Sequence, residues 1–278
     1  MVDLFGNIDE SARSLPEKVA IAIAWIREYE PEALRIDPLG YYVAISGGKD
    51  SECLKRLFQL ASVRCEFWYN NVTIDPPELI RHLKQHHADV QWNNPKKHLI
   101  NMMAESKTCG PPTRLLRWCC EIYKEQGGNG RFKAIGVRAA ESPRRKANWA
   151  FLSSDRRTDT PIICPIIHWT DADVWQFIRE QQIPYCSLYD EGFKRLGCIG
   201  CPMGGPIGQA RDFARWPKYE AMWKRGFQRY FDKYKGVPKL RGGPRAIEKF
   251  PTVDDLWQWW VSGKAYEGNA PDCQSWLW

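Results

Sequence analysis

Six residues, Ser46-Gly47-Gly48-Lys49-Asp50-Ser51, constrain the fold of this chain more than any other feature. They follow the short apolar run Tyr41 to Ile45. After them, Cys53 to Ala61 repeats Leu54, Leu57, Phe58 and Leu60 with helical spacing. The order strand, glycine loop, helix makes a tight turn whose N–H groups face an anion, with the positive end of the helix aimed at the same charge. Lys49 adds a cation, and Ser46 and Ser51 add donors. The spacing is not the G-x-x-x-x-G-K-S/T of a Walker A loop, so a mononucleotide kinase or motor ATPase fits poorly. An ordinary turn also favours glycine and serine. The loop stands at a strand's carboxyl end, where open sheets bind ligands, and this favours a phosphate site.

The rest of the chain keeps the same alternation. Pro16 opens a helix running to Glu30, a second strand is expected at Arg64 to Tyr69, a helix at Pro77 to His87, and a third strand at Asp89 to Trp92. Thr113 to Glu125 reads as helical, Phe132 to Val137 as a buried strand feeding the polar loop Arg138 to Lys146, and Pro161 to Ile167 as another apolar strand. Thr170-Asp171-Ala172-Asp173 reads as a cap for a helix over Val174 to Gln181. Gln209 to Tyr234 reads as basic, aromatic and helical, Arg241-Gly242-Gly243-Pro244 as a break, and Val253 to Val261 as a last helix. This pattern predicts an α/β fold with a doubly wound parallel sheet. The expected division is an N-terminal helical segment at 1–37, a nucleotide-binding domain at 38–208, and a basic, Trp-rich helical region at 209–278.

The chain carries 10 cysteines and shows neither an apolar run of membrane-spanning length nor a basic-then-apolar leader. It is therefore expected to be cytoplasmic and away from membranes, where cysteines read as metal ligands or catalytic groups rather than disulfides. Cys119-Cys120 and Cys198-x-x-Cys201 form two pairs suited to zinc or an iron–sulfur cluster. Adjacent cysteines depart from the zinc-knuckle spacing and favour the larger cluster. Cys53, Cys65, Cys164 and Cys186 read as small hydrophobes, and Cys109 is an outlying candidate. His82, His86 and His87 complete no metal site by spacing and read as surface or packing residues. A net charge of +7 favours polyanionic partners. In the basic segment Arg211 to Lys239, Trp216, Tyr219, Trp223, Phe227 and Tyr230 could stack bases, although helical packing explains them equally well.

The hexamer resembles the pyrophosphate loop of the ATP-pyrophosphatase superfamily, whose members cleave ATP between its α and β phosphates. The cysteine pairs resemble the ligand set of cluster-containing adenylylsulfate reductases. So do Ile167 to Trp175, Ile183-Pro184-Tyr185, Leu188 to Phe193, Leu196 to Pro202, and Gly136-Val137-Arg138-Ala139-Ala140-Glu141-Ser142-Pro143-Arg144-Arg145. Together these segments resemble the phosphoadenosine-phosphosulfate (PAPS) reductase-like superfamily. The resemblance implies that Ser46, Gly47, Gly48, Lys49, Asp50, Ser51, Arg144 and Arg145 bind the nucleotide. It implies that Lys49, Asp50, Ser51 and Arg138 carry catalysis, with Mg²⁺, and that Cys119, Cys120, Cys198 and Cys201 hold a [4Fe–4S] cluster.

The reductases of this family resemble one another in a C-terminal Glu-Cys-Gly-(Leu/Ile)-His segment and in a degenerate phosphate loop. Here the loop is complete, and the C-terminal cysteine lies in Asp272-Cys273-Gln274-Ser275. The expectation is an AMP-forming ATP pyrophosphatase acting in sulfur transfer, like the corresponding component of DNA phosphorothioation systems or a tRNA thiolase. Its partners would be ATP, a sulfur-donor protein of cysteine desulfurase type, and DNA or tRNA. The alternatives are an adenylylsulfate or PAPS reductase producing sulfite, and a non-catalytic nucleotide-sensing module.

Overall fold

A computed structural model describes residues 13–105, 110–155, 158–237 and 246–264. Cys109, Cys273, Trp276 and Trp278 lie outside these residues. The chain forms two compact units, each assembled from separate stretches of sequence. One comprises Met1–Asn70, Pro77–Asn93 and Gln126–Leu196, and the other Asn71–Pro76, Asn94–Glu125 and Gly197–Trp278.

The first unit holds the expected sheet. Its strands are β1 (Tyr41–Ile45), β2 (Cys65–Asn70), β3 (Val90–Asn93), β4 (Lys133–Ala134), β5 (Leu152–Ser154) and β6 (Pro161–Ile163). Their spatial order is β3-β2-β1-β4-β6-β5, and every pairing is parallel except β5 with β6. The sheet order reverses at β1, which has β2 on one side and β4 on the other. Crossovers leave in opposite directions there, so the carboxyl end of β1 opens into a crevice. Around the sheet run α1 (Leu15–Glu28), α2 (Glu30–Ile36), α3 (Lys49–Ala61) and α4 (Pro77–His86), followed later in the chain by α7 (Pro143–Asn148) and α8 (Asp171–Glu180).

Burial explains these elements. Tyr41, Val43 and Ile45 of β1 and Leu54, Leu57 and Phe58 of α3 are all at most 3% exposed. The Tyr41 ring packs between Phe58 and Phe132, each 5.1 Å away, and its hydroxyl donates to the Ile26 carbonyl of α1. Each such aromatic contributes roughly 2 kcal/mol by leaving water. The apolar runs overstate strand length, because pairing stops at Ala134 and Ile163. The chain beyond them still runs side by side, with Ile135 N donating to Ile163 O and Ala139 N to Ile167 O. Where a polar loop was expected after Arg138, a short turn and α7 form instead, started by Ser142 capping Arg145 N ahead of Pro143.

The second unit is helical: α5 (Leu99–Glu105), α6 (Trp118–Cys120) continuing as a π-helical turn over Glu121–Glu125, α9 (Gly205–Arg215), α10 (Pro217–Tyr234) and α11 (Val253–Ser262). The helix expected from Thr113 starts only at Trp118. The helical segment expected over Gln209 to Tyr234 is split in two, because Pro217 has no N–H and disfavours helical geometry at Trp216, which adopts φ -127° and ψ 69°. Trp223, Phe227 and Tyr230 are at most 6% exposed and pack in this unit's core with Trp257 and Trp260, and Trp216 is 7% exposed beneath Arg215. Burial has claimed these four rings, which corrects the base-stacking possibility raised for them.

Candidate nucleotide and metal sites

The glycine loop lies where β1 ends. Gly47 adopts φ +72°, and a Cβ there would sit 2.5 Å from Leu79 of α4, so this turn requires glycine. The serines then close the loop on itself. The Ser51 hydroxyl donates to the Gly48 carbonyl at 2.8 Å and accepts from Ser46 N at 3.1 Å. Lys49 N donates to the Tyr189 hydroxyl at 2.9 Å, and burial pushes that phenol well above its ordinary pKa.

Three neighbouring parallel strands deliver charge to this point. Lys49 and Asp50 follow β1, Arg138 follows β4, and Asp171 follows β6 as the first residue of α8. Arg138 is 3% exposed. It spreads its guanidinium over Asp50 (Nε to Oδ1, 2.5 Å), Asp171 (Nη2 to Oδ1, 3.1 Å) and the Trp169 carbonyl (Nη1, 3.4 Å). Lys49 Nζ reaches the same Asp171 oxygen at 2.9 Å and Asp50 at 3.5 Å. Partial burial raises the Asp171 pKa, but the hydrogen bond from Lys49 and the charges of Lys49 and Arg138 hold it below the ordinary value. Two cations and two carboxylates make a quartet that is neutral overall, with its cations buried and one carboxylate open to solvent. Such a group can exchange an internal carboxylate for a phosphate at little electrostatic cost.

The expected binding residues divide accordingly. Ser46, Gly47, Gly48, Lys49, Asp50, Ser51 and Arg138 converge. Arg144 and Arg145 lie a turn further on, along α7, where Arg145 pairs with Glu141 and Arg144 is exposed. Sequence reading passed over Asp171 as a ligand-facing group because it looked like part of a helix cap. That cap exists, with Thr170 and Asp173 bonding reciprocally, and Asp173 also accepts from Lys18 at 2.7 Å.

The four cysteines all belong to the second unit. Cys119 and Cys120 end α6, and Cys198 and Cys201 flank a turn in which Cys201 N donates to Cys198 O. Gly200 sits in that turn at φ +72°, and a Cβ would fall 2.5 Å from Phe213. Gly200 N donates to Asp212, Gln209 donates to Gly200 O, and Trp223 donates to Ile199 O, so α9 and α10 pin the turn. The thiols interact electrostatically with one another, and two cations oppose their charge. Burial pushes the Cys198 thiol up against the pull of Lys124. Cys120 is lowered by the hydrogen bond from Cys119, with Arg117 adding to the effect. Four soft donors faced by Lys124 and Arg117 suit either a zinc ion or an iron–sulfur cluster. Cys53, Cys164 and Cys186 are fully buried, as small hydrophobes should be, while Cys65 is half-buried.

A third constellation escaped the sequence. His82 and His87, expected on the surface or in packing, are each 5% exposed, and both direct Nε2 at Glu52 Oε1 from 2.9 Å. Glu52 follows Ser51 on α3 and is itself 1% exposed. A pattern search could have found the two imidazoles, His82 on α4 and His87 just past its end, but only the fold supplies the carboxylate.

An open α/β sheet with a glycine loop at its switch point, and cations brought in from adjacent strand ends, makes an arrangement suited to a phosphate group. Residues 40–203 match the family model for the phosphoadenosine phosphosulfate reductase domain, and the chain belongs to that family. It is similar to the adenosine 5'-phosphosulfate reductase of Staphylococcus haemolyticus, 33% identical over 109 residues, which cover 37% of this chain and 44% of that one. The Bacillus anthracis enzyme of the same name is 34% identical over 99 residues, covering 34% and 42%. The chain thus spans less than half the length of these curated relatives. Among solved structures, a PAPS reductase from Candida auris in phosphate complex is 14% identical with a TM-score of 0.47, covering 67% of this chain and 96% of that one. Candida glabrata FMN adenylyltransferase in complex with ATP is 17% identical with a TM-score of 0.45, covering 67% and 63%. Among the described residues no helix is long and apolar enough to cross a membrane.

Proposed function

We propose that this chain is an AMP-forming ATP pyrophosphatase working in sulfur transfer to a nucleic acid. The complete loop carries this reading: Lys49 and Arg138 bring two buried cations to a glycine turn at the sheet's switch point. The loop amides and these cations would hold the phosphates in line and neutralise the charge that develops on the departing pyrophosphate. Asp50 is fixed by Arg138 and stands beside Asp171, so the two carboxylates offer the hard oxygen donors that Mg²⁺ prefers. When bound, Mg²⁺ would share the phosphate charge with Lys49. Cys119, Cys120, Cys198 and Cys201 would hold a [4Fe–4S] cluster, which when bound would carry or relay sulfur. A sulfur-donor protein of cysteine desulfurase type would be the protein partner. The net charge of +7 is compatible with a DNA or tRNA acceptor.

A second reading, a sulfonucleotide reductase, is favoured by the names of the curated relatives. Against it stand the complete loop and a C-terminal Cys273 without the glycine and histidine that follow it in the reductases.

The test is anaerobic purification followed by parallel assays with ATP, adenylylsulfate and PAPS. Pyrophosphate and AMP from ATP, without sulfite from either sulfonucleotide, supports the proposal. Sulfite formation that requires Cys273 overturns it in favour of the reductase, and inactivity toward all three with an intact cluster leaves a sensing module.

A further inference from the structure

We propose that Glu52, His82 and His87 form a binding site for one divalent transition ion of the zinc class, behind the glycine loop and separate from the cysteine set. Two imidazole Nε2 atoms and one carboxylate oxygen lie within 4.8 Å of one another, all on buried side chains. Two histidines and one carboxylate are a common ligand set for zinc and for iron(II), and they leave a further coordination position open.

Charge supplies the second argument. Glu52 is 1% exposed and its described partners are two imidazoles, neither of which carries a formal charge when neutral. The nearby cation, Lys55, donates to His87 Nδ1 at 2.8 Å but also meets Asp89 at 2.5 Å, where a carboxylate already balances it. With both histidines neutral, these five side chains sum to one negative charge. Asp89 is half-exposed, so the costly part is the buried Glu52, whose carboxylate has, among the described residues, no cation in direct contact unless one joins it. The cation could be a proton shared with a histidine or a metal ion. Three converging donors favour the ion, because a proton needs only one of the two imidazoles.

The route in is visible. His82 lines a surface pocket of the same unit together with Glu78, His86, Tyr185 and Ser187. Lys55 sets the condition for loading. While it donates to Nδ1, His87 keeps its proton on Nε2. An ion at Nε2 therefore requires that proton to move to Nδ1 and Lys55 to turn wholly onto Asp89. The net proton count at His87 is unchanged, and Lys55 competes with the ion.

The full chain, purified anaerobically, should carry about one zinc in addition to its iron. Cys198→Ser should lose iron and keep the zinc, while His82→Asn and His87→Asn should lose the zinc and keep iron. After the zinc is removed with a chelator, Co²⁺ should restore a visible spectrum without sulfur-to-cobalt charge transfer, and Lys55→Met should bind Co²⁺ at least fivefold more tightly. A wild-type chain that holds no zinc and takes up no Co²⁺ at tens of micromolar overturns the site. So does a cobalt spectrum dominated by thiolate bands. Neither result depends on variants folding or on the nucleotide chemistry.

Discussion

Lys49 Nζ and Arg138 Nη2 converge on the same oxygen of Asp171, at 2.9 and 3.1 Å, so the cations best placed for a phosphate already share a carboxylate. Removing that carboxylate's charge should help a bare phosphate and harm a metal-bound one. Asp171→Asn is expected to bind Mg²⁺-free ATP about fivefold more tightly, equivalent to about 1 kcal/mol for a solvent-screened pair. Its Mg²⁺-dependent turnover should fall at least tenfold. Calorimetry with and without Mg²⁺ checks both halves, and equal affinity in wild type and variant would remove Asp171 from the site.

Arg138 uses three different nitrogens on Asp50, Asp171 and the Trp169 carbonyl. A lysine keeps the charge but cannot span that fork. Arg138→Lys should therefore lower kcat at least tenfold while far-UV circular dichroism stays unchanged. Retention of more than half the wild-type rate would mean that charge alone suffices.

Asp173 joins the cap of α8 to Lys18 of α1, whose side chain is 4% exposed. Asp173→Asn leaves that ammonium buried without its counter-charge, at a cost of about 3 kcal/mol near neutral pH. Burial raises the Asp173 pKa, but the Lys18 and Thr170 hydrogen bonds outweigh it and hold the group below its ordinary 3.8. A depressed carboxylate stabilises the fold above its unfolded pKa and loses that contribution as pH falls through the lower folded value. The gap between wild type and variant should therefore be constant from about pH 5 to 8 and close below about pH 4. Thermal unfolding across pH tests this, and a gap that persists unchanged at pH 2 would contradict the assignment.

Gly200 holds the Cys198–Cys201 turn at φ +72°, with Phe213 and Trp223 on either side of where a Cβ would stand. Gly200→Ala should cost about 2 kcal/mol or more and halve the iron bound at the proposed cluster site. Gly204→Ala, where a Cβ meets nothing within 4 Å, should leave iron unchanged. Equal iron in both would uncouple the turn from the metal.

The sequence by itself determined the loop, the alternation of strand and helix around it, and the two cysteine pairs. Each of these is local: glycine and serine chemistry, apolar periodicity and short spacing act over a few residues. Element ends were less legible, since Phe132 to Val137 and Pro161 to Ile167 look like whole strands, yet ladder pairing covers only Lys133–Ala134 and Pro161–Ile163. Trp223 and Phe227 could have faced bases or a core, because amphipathic spacing does not say what covers a face. Only the tertiary structure decided that Arg138 and Asp171, 33 residues apart, meet over Lys49, and that Glu52 faces His82 of α4 and His87 just after it. Those meetings depend on strand order. The sheet places β4 and then β6 beside β1, and no short-range pattern in the chain encodes which strand ends become neighbours.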